Sequence, residues 1–299
     1  MNSSILRSIS LRILATGLCT VTAISSAGYV TTAKADDAVP QFDHSMPSVV
    51  ETGFVDSNTA RIEYAVYGLT DEDAPVLLLC PPNGGDMHAY DWDILPEMSH
   101  YYKCIAVSPR ATGNSSHGDG EITFDKMSDD LCSVLDYLGV TKKVDIYGFS
   151  DGGNLGLNFA VRHGDRLNRL AILGSNINPF GTKVGTELGI IWQWICLSVE
   201  AAITHDPETA RRRDIKKLMV TEPRMTFADI ATITAPVLNM YGENDMIQRR
   251  HSKKISKTIP DCIDLLLWGQ NHGADSETID NIILPTLVDF YGLDTSKRA

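Results

Sequence analysis

The stretch VDIYGFSDGG, Val144 to Gly153, is an apolar run that ends on a serine boxed in by glycines, with Gly148, Ser150 and Gly152 in the spacing G-x-S-x-G. A serine there is either a turn residue capping a helix or a nucleophile. The difference lies in what flanks it. A hydroxyl forced into a sharp strand-to-helix turn needs neighbours without side chains, because the strand and helix pack against the turn. The helix start then aims backbone N–H groups and a partial positive charge at the reacting centre. A strand pattern precedes Ser150 and a helical pattern follows it, so Ser150 is read as the nucleophile.

The elements that must position it follow from hydrophobic period. VLLLC (76–80), CIAVS (104–108), VDIYGF (144–149), RLAILGS (169–175), VLNMYG (237–242) and DLLLWG (264–269) are continuous apolar runs, as parallel strands buried on both faces should be. ARIEYAVYG (60–68) alternates with period two and suits an antiparallel edge strand. Helical spacing fills the intervals at 124–138, 153–163, 250–258 and 277–291. Between Asn176 and about residue 229 there is no clear strand, and two helical segments there, GTELGIIWQWICLSVEAAI and PETARRRDIKKLMV, predict a lid over the strand ends. The expected fold class is α/β: a mostly parallel central sheet with helices on both faces and a small helical lid at about 177–228.

This order of strands, with its G-x-S-x-G elbow, resembles the α/β-hydrolase superfamily over essentially the whole chain after residue 35. The resemblance implies that the acid and the histidine follow the serine in sequence. His272, in LLLWGQNHGAD, stands directly after the last strand-like run, where the superfamily places its base. His163 and His251 fall on helices and read as surface residues. The other histidines precede the required region or lie in the lid. An acid that fixes the imidazole's tautomer is expected at the end of VLNMYGEND: Asp245, with Glu243 as runner-up. For the oxyanion, the resemblance implies one donor from the N–H of Asp151 and one from the loop after VLLLC. Relatives commonly carry His-Gly there, and this chain has Pro81-Pro82-Asn83-Gly84-Gly85. Proline has no N–H, which leaves Asn83, with Gly84 close behind. SPRATGNS (108–115) resembles the superfamily's D-x-R-G-x-G-x-S, with Ser108 for the aspartate and Ala111 for the first glycine, a departure that bears on loop packing. Ile190, Ile191, Trp192, Trp194 and Leu197 suit either a pocket lining or ordinary packing. His88 and Tyr90 fall near the same region.

Composition bounds the rest. The chain is 43% hydrophobic and 21% charged, ordinary for one globular core. Residues 1–35 have the layout of a secretory signal: Arg7 and Arg12, a moderately apolar stretch, then Ala33-Lys34-Ala35 before Asp36. Cleavage removes three basic residues and no acidic ones, leaving 23 against 38 and a net charge of −15. Such a surface repels nucleic acid and anionic lipid. The expected location is periplasmic or secreted, with no stable membrane insertion after cleavage. Five cysteines then remain, with no C-x-x-C spacing, and Cys80 and Cys104 read as buried free thiols. The expected activity is a serine hydrolase cleaving small carboxylic esters through an acyl-enzyme on Ser150, with no metal or organic cofactor. The same triad also supports aminopeptidase, lactonase or carbon–carbon hydrolase chemistry, or a hydrolase-like ligand-binding protein of slow turnover.

Overall fold

In the computed structural model, the described residues are 42–297 and three short strands: β1 (Ser8–Ile9), β2 (Thr22–Ile24) and β3 (Val30–Thr32). Apart from those strands, the expected signal segment lies outside the described residues. The remaining strands are β4 (Val49–Ser57), β5 (Ala60–Gly68), β6 (Val76–Cys80), β7 (Lys103–Ser108), β8 (Val144–Phe149), β9 (Leu167–Leu173), β10 (Val237–Gly242) and β11 (Cys262–Leu267). The helices are α1 (Ile94–Met98), α2 (Phe124–Tyr137), α3 (Asp151–Arg162), α4 (Val184–Thr204), α5 (Pro207–Thr221), α6 (Phe227–Ile230), α7 (Arg249–Thr258), α8 (Ser276–Thr278) and α9 (Leu284–Tyr291).

One sheet runs in the order β1-β11-β10-β9-β8-β6-β7-β5-β4. Pairings from β1 to β7 are parallel, and β7-β5 and β5-β4 are antiparallel. The six continuous runs are the parallel strands expected. ARIEYAVYG is antiparallel but not at the edge, because β4 pairs outside it. VVETGFVDS was passed over: its outer half is exposed, so it lacks the buried alternation that marks a strand in sequence.

Successive residues of the central strands feed two cores, one on each face. Leu78, Ile146 and Ile172 pack with α2, α3 and α7, including Phe124, Leu131, Leu155, Phe159 and Ile255. Leu77, Leu79, Tyr147 and Ala171 face the other way and pack with α1 and α9 through Ile94, Leu95, Leu284 and Leu287. This is the two-residue period of a strand covered on both sides. Each such leucine contributes about 1.5–3 kcal/mol by burial. α2 starts on Thr123, whose side chain accepts from the N–H of Lys126, and α9 ends on Gly292 at φ 67°. Ser108, which stands where the superfamily pattern has aspartate, donates to Glu63 at 2.9 Å, so a carboxylate is supplied here from β5. Ala111 sits at φ 62°, a left-handed position that favours glycine, as the superfamily pattern has it.

The segment between β9 and β10 holds α4 and α5, which pack against each other. α4 has a mean hydropathy of 1.2 over its most apolar window and is long and apolar enough to span a membrane by length and composition. Its outer face exposes Val184, Leu188, Trp192, Ile195, Val199 and Ile203.

Candidate active site

Ser150 occupies the turn between β8 and α3 with φ 55° and ψ −121°, an unusual conformation for a residue with a side chain and one that costs about 1–3 kcal/mol. The surrounding glycines make the turn possible. A Cβ on Gly148 would strike the backbone of Gly152. One on Gly152 would overlap the carbonyl of Cys80, and one on Gly153 the hydroxyl of Ser175. These approaches lock the elbow between β6, β8 and β9. Tyr90 adds a staple, its hydroxyl donating to the carbonyl of Cys80 at 2.6 Å and accepting from the N–H of Phe149 at 3.0 Å. Tyr90 thus supports the elbow from beneath, while His88 points to solvent and pairs with Asp91 at 2.9 Å.

His272 lies on the loop after β11 and Asp245 on the loop after β10. The imidazole bridges them to the elbow, with Nε2 2.8 Å from Ser150 Oγ and Nδ1 2.7 Å from Asp245 Oδ1. Asp245 is 1% exposed, and its Oδ1 also accepts from the N–H of Ile247 at 2.8 Å. Its Oδ2 is buried without a hydrogen-bond partner among the described residues. The carboxylate is therefore fixed on one oxygen, and the ring of Phe149, 5.1 Å from the imidazole centroid, restrains the other partner. Glu243 turns away and accepts from the N–H of Gly269 at 3.1 Å. The geometry brings Asp245 to the histidine.

Asp151 is the first residue of α3, where a helix leaves its N–H groups without intrahelical partners. Asn83 meets it from the loop after β6. The Asn83 side chain donates 2.8 Å to Asp151 Oδ2 and 3.0 Å to the carbonyl of Ile215, tying the loop to both the elbow and α5. Burial pushes the Asp151 carboxyl up from its ordinary value, and the hydrogen bonds from Asn83 and Asn154 pull against that shift. Asn154 donates to Asp151 Oδ1 at 3.0 Å and to Asn176 Oδ1 at 2.9 Å, while the N–H of Asn176 donates back to Asn154 Oδ1 at 2.8 Å. Sequence reasoning missed this amide ladder. Its one local signal is Asn154 standing three residues after Asp151, on the same face of the first turn of α3.

Ser150, Asp151, Asn176, Thr182, Ile190, Met219, Glu222, Met246 and Ile247 line an enclosed cavity of about 10 Å³, the room of about one water. Of the apolar α4 set named from sequence, Ile190 alone borders this cavity; Trp192 is 66% exposed. His251 is not a surface residue: it is buried, and its Nε2 accepts from the N–H of Ile177 at 3.2 Å. Desolvation, with Lys254 and Arg250 adding to it, lowers its pKa to about 4. Its helix, α7, turns that face inward beneath Gly181 and Phe227, which the sequence pattern of a short basic helix does not reveal. Cys80, Cys104, Cys132, Cys196 and Cys262 are free thiols. Among the described residues, no group of three or more His, Cys, Asp or Glu side chains is placed to hold a metal ion.

Residues 75–193 match a family profile described as the alpha/beta hydrolase fold, and the architecture above is that fold. The chain is 32% identical over 130 residues to a putative carbamate hydrolase of Caulobacter segnis, a match covering 43% of this chain and 46% of that protein. It is 29% identical over 272 residues to a proline iminopeptidase of Pestalotiopsis fici, covering 77% of this chain and 96% of the relative. The chain spans about half the length of the first of these relatives. Among solved structures, the enol-lactonase of Burkholderia xenovorans superposes with a TM-score of 0.62 at 19% identity, covering 80% of this chain and all of that one, which shows the shared fold.

Proposed function

We propose that the protein is a serine hydrolase of small carboxylic esters that works through an acyl-enzyme on Ser150. The observation that carries this reading is the continuous hydrogen-bonded line Ser150 Oγ, His272 Nε2, His272 Nδ1, Asp245 Oδ1, with bonds of 2.8 and 2.7 Å at its two ends. In this reading Asp245 holds the proton of the resting imidazole on Nδ1, leaving Nε2 free to accept. Ser150 Oγ attacks the ester carbonyl as its proton passes to Nε2. The oxyanion forms at the start of α3, where the backbone N–H groups of Asp151 and Asn83 are its donors. His272 then gives the proton to the departing alcohol. Water repeats the sequence against the acyl-enzyme, releasing the acid and restoring Ser150. This chemistry draws on no cofactor. The relatives, named as a carbamate hydrolase and an iminopeptidase, support the coarser class of hydrolase.

The test is labelling by a fluorophosphonate together with turnover of p-nitrophenyl butyrate. Both should be present in the parent protein and lost in Ser150→Ala. An unlabelled Ser150 overturns the enzyme reading, and labelling without repeated turnover favours a slow ligand-binding protein. The layout of residues 1–35 supports export as a further part of the proposal; N-terminal sequencing of the mature protein should begin at Asp36, and a retained Met1 refutes it.

A further inference from the structure

A second, larger space opens on the lid. An open cleft of about 530 Å³ lies between α4 and α5, lined by Gly84, Trp192, Cys196, Leu197, Arg211, Arg212 and Lys216. Its lining holds three cationic side chains and no carboxylate, on a chain whose overall charge is −12. Arg211 is committed, forked onto Glu208 at 2.7 Å and donating to the carbonyl of Ala111 at 2.6 Å. Among the described residues Arg212 has no ion-pair partner in contact, although its charge acts on Glu208 and helps to lower that carboxyl. The Lys216 ammonium has only the thioether of Met219, at 3.7 Å.

The two spaces share no lining residue, and the Lys216–Met219 contact is where their walls touch. Met219 lines the cavity beside Ser150, one helical turn along α5 from Lys216. The charge of Lys216 reaches the active centre, lowering the carboxyl of Asp151 against the larger effect of burial. Two cations at the mouth of the groove, above an apolar wall of Trp192 and Leu197, match a short chain ending in an anion. Met219 is the unbranched, adaptable side chain that stands between that chain and the nucleophile.

We propose that Lys216 and Arg212 form an anion subsite that selects esters whose acyl chain ends in a free carboxylate. The subsite deepens the proposed ester hydrolysis and rests on it for turnover. The carboxylate seats between Lys216 Nζ and the Arg212 guanidinium, the methylenes lie against Leu197 and Trp192, and the scissile carbonyl passes Met219 to reach Ser150. No covalent step is added to the mechanism.

The test compares mono-p-nitrophenyl adipate with p-nitrophenyl hexanoate, which match in acyl length and differ in the terminal carboxylate. The parent protein should favour the adipate in kcat/KM. Lys216→Gln and Arg212→Gln should each cut the adipate-to-hexanoate ratio about tenfold, through KM, and Lys216→Arg should restore most of it. Added NaCl should lower the same ratio in the parent protein, and less in either glutamine variant. A ratio unchanged by both glutamine variants overturns the subsite. Binding keeps the inference separate from catalysis. In Ser150→Ala, calorimetry should detect monomethyl adipate more tightly than methyl hexanoate, and Lys216→Gln should abolish that preference. Equal affinities overturn the subsite even if Ser150 is a nucleophile. The preference without labelling of Ser150 leaves the subsite standing and removes the hydrolase.

Discussion

Replacing Asp151 by alanine leaves the backbone N–H that the proposed mechanism uses and removes only the carboxylate. That carboxylate accepts from Asn83 at 2.8 Å on one oxygen and from Asn154 at 3.0 Å on the other, in a fully buried setting. A buried hydrogen bond contributes about 0.5–1.5 kcal/mol, so the substitution frees the Asn83 side chain from the elbow and leaves it held by the carbonyl of Ile215. Complete loss of one oxyanion donor costs about 10²–10³ in kcat. A donor that is displaced but still present should cost part of that, about 10- to 100-fold, with KM changed by less than about threefold. The assay is steady-state hydrolysis of p-nitrophenyl butyrate alongside inhibition by a trifluoromethyl ketone, which forms a tetrahedral adduct. Affinity for the ketone should fall in step with kcat. Asp151→Asn, which keeps an acceptor toward one of the two asparagines, should lie between the parent protein and Asp151→Ala. A variant that melts earlier yet keeps its kcat and its affinity for the ketone would show that the Asn83–Asp151 contact is structural only.

Three other substitutions probe different parts of the molecule. Asp245→Asn should lower kcat by about 10³–10⁴ with little change in folding, since it removes the acceptor that sets the His272 tautomer; a loss below tenfold in stopped-flow acylation would contradict that role. Met219→Ala should move the acyl-chain optimum of p-nitrophenyl esters to longer chains by widening the cavity of about 10 Å³ beside Ser150, and an unmoved optimum would exclude Met219 as the barrier. His251, with a folded pKa of about 4 against 6.5 when unfolded, is neutral in the native protein. Its contribution is intact above about pH 6.5 and is lost as pH falls through about 4, up to about 3 kcal/mol. His251→Gln should therefore flatten the acid limb of the urea-midpoint profile between those values, and an unchanged limb would assign acid sensitivity to other groups.

The elbow was legible because its requirements are local. Glycines at 148, 152 and 153 are needed wherever a strand turns that sharply into a helix, and the six apolar runs declare a doubly covered sheet by their lack of alternation. Chain order added His272 and Asp245, since each follows a strand whose carboxyl end lies at the same edge. β4 escaped because an edge strand with an exposed outer half has no periodicity to read, and His251 because a side chain on a short basic helix is buried only by what folds over it.

The sequence by itself determined that a serine would stand in a strained turn at the edge of a parallel sheet, and its resemblance to the α/β-hydrolase superfamily pointed to a histidine and an aspartate downstream. Tertiary structure decided how those residues meet. It chose Asp245 over Glu243, turned the Asn83 side chain onto Asp151, closed the cavity with Met219 and left Lys216 and Arg212 facing an open cleft. The reason is range. Turn sterics and strand period act between residues a few positions apart, whereas Asn83 lies 68 residues from Asp151 and Ser150 lies 122 from His272, and such contacts are made only when the whole sheet is assembled.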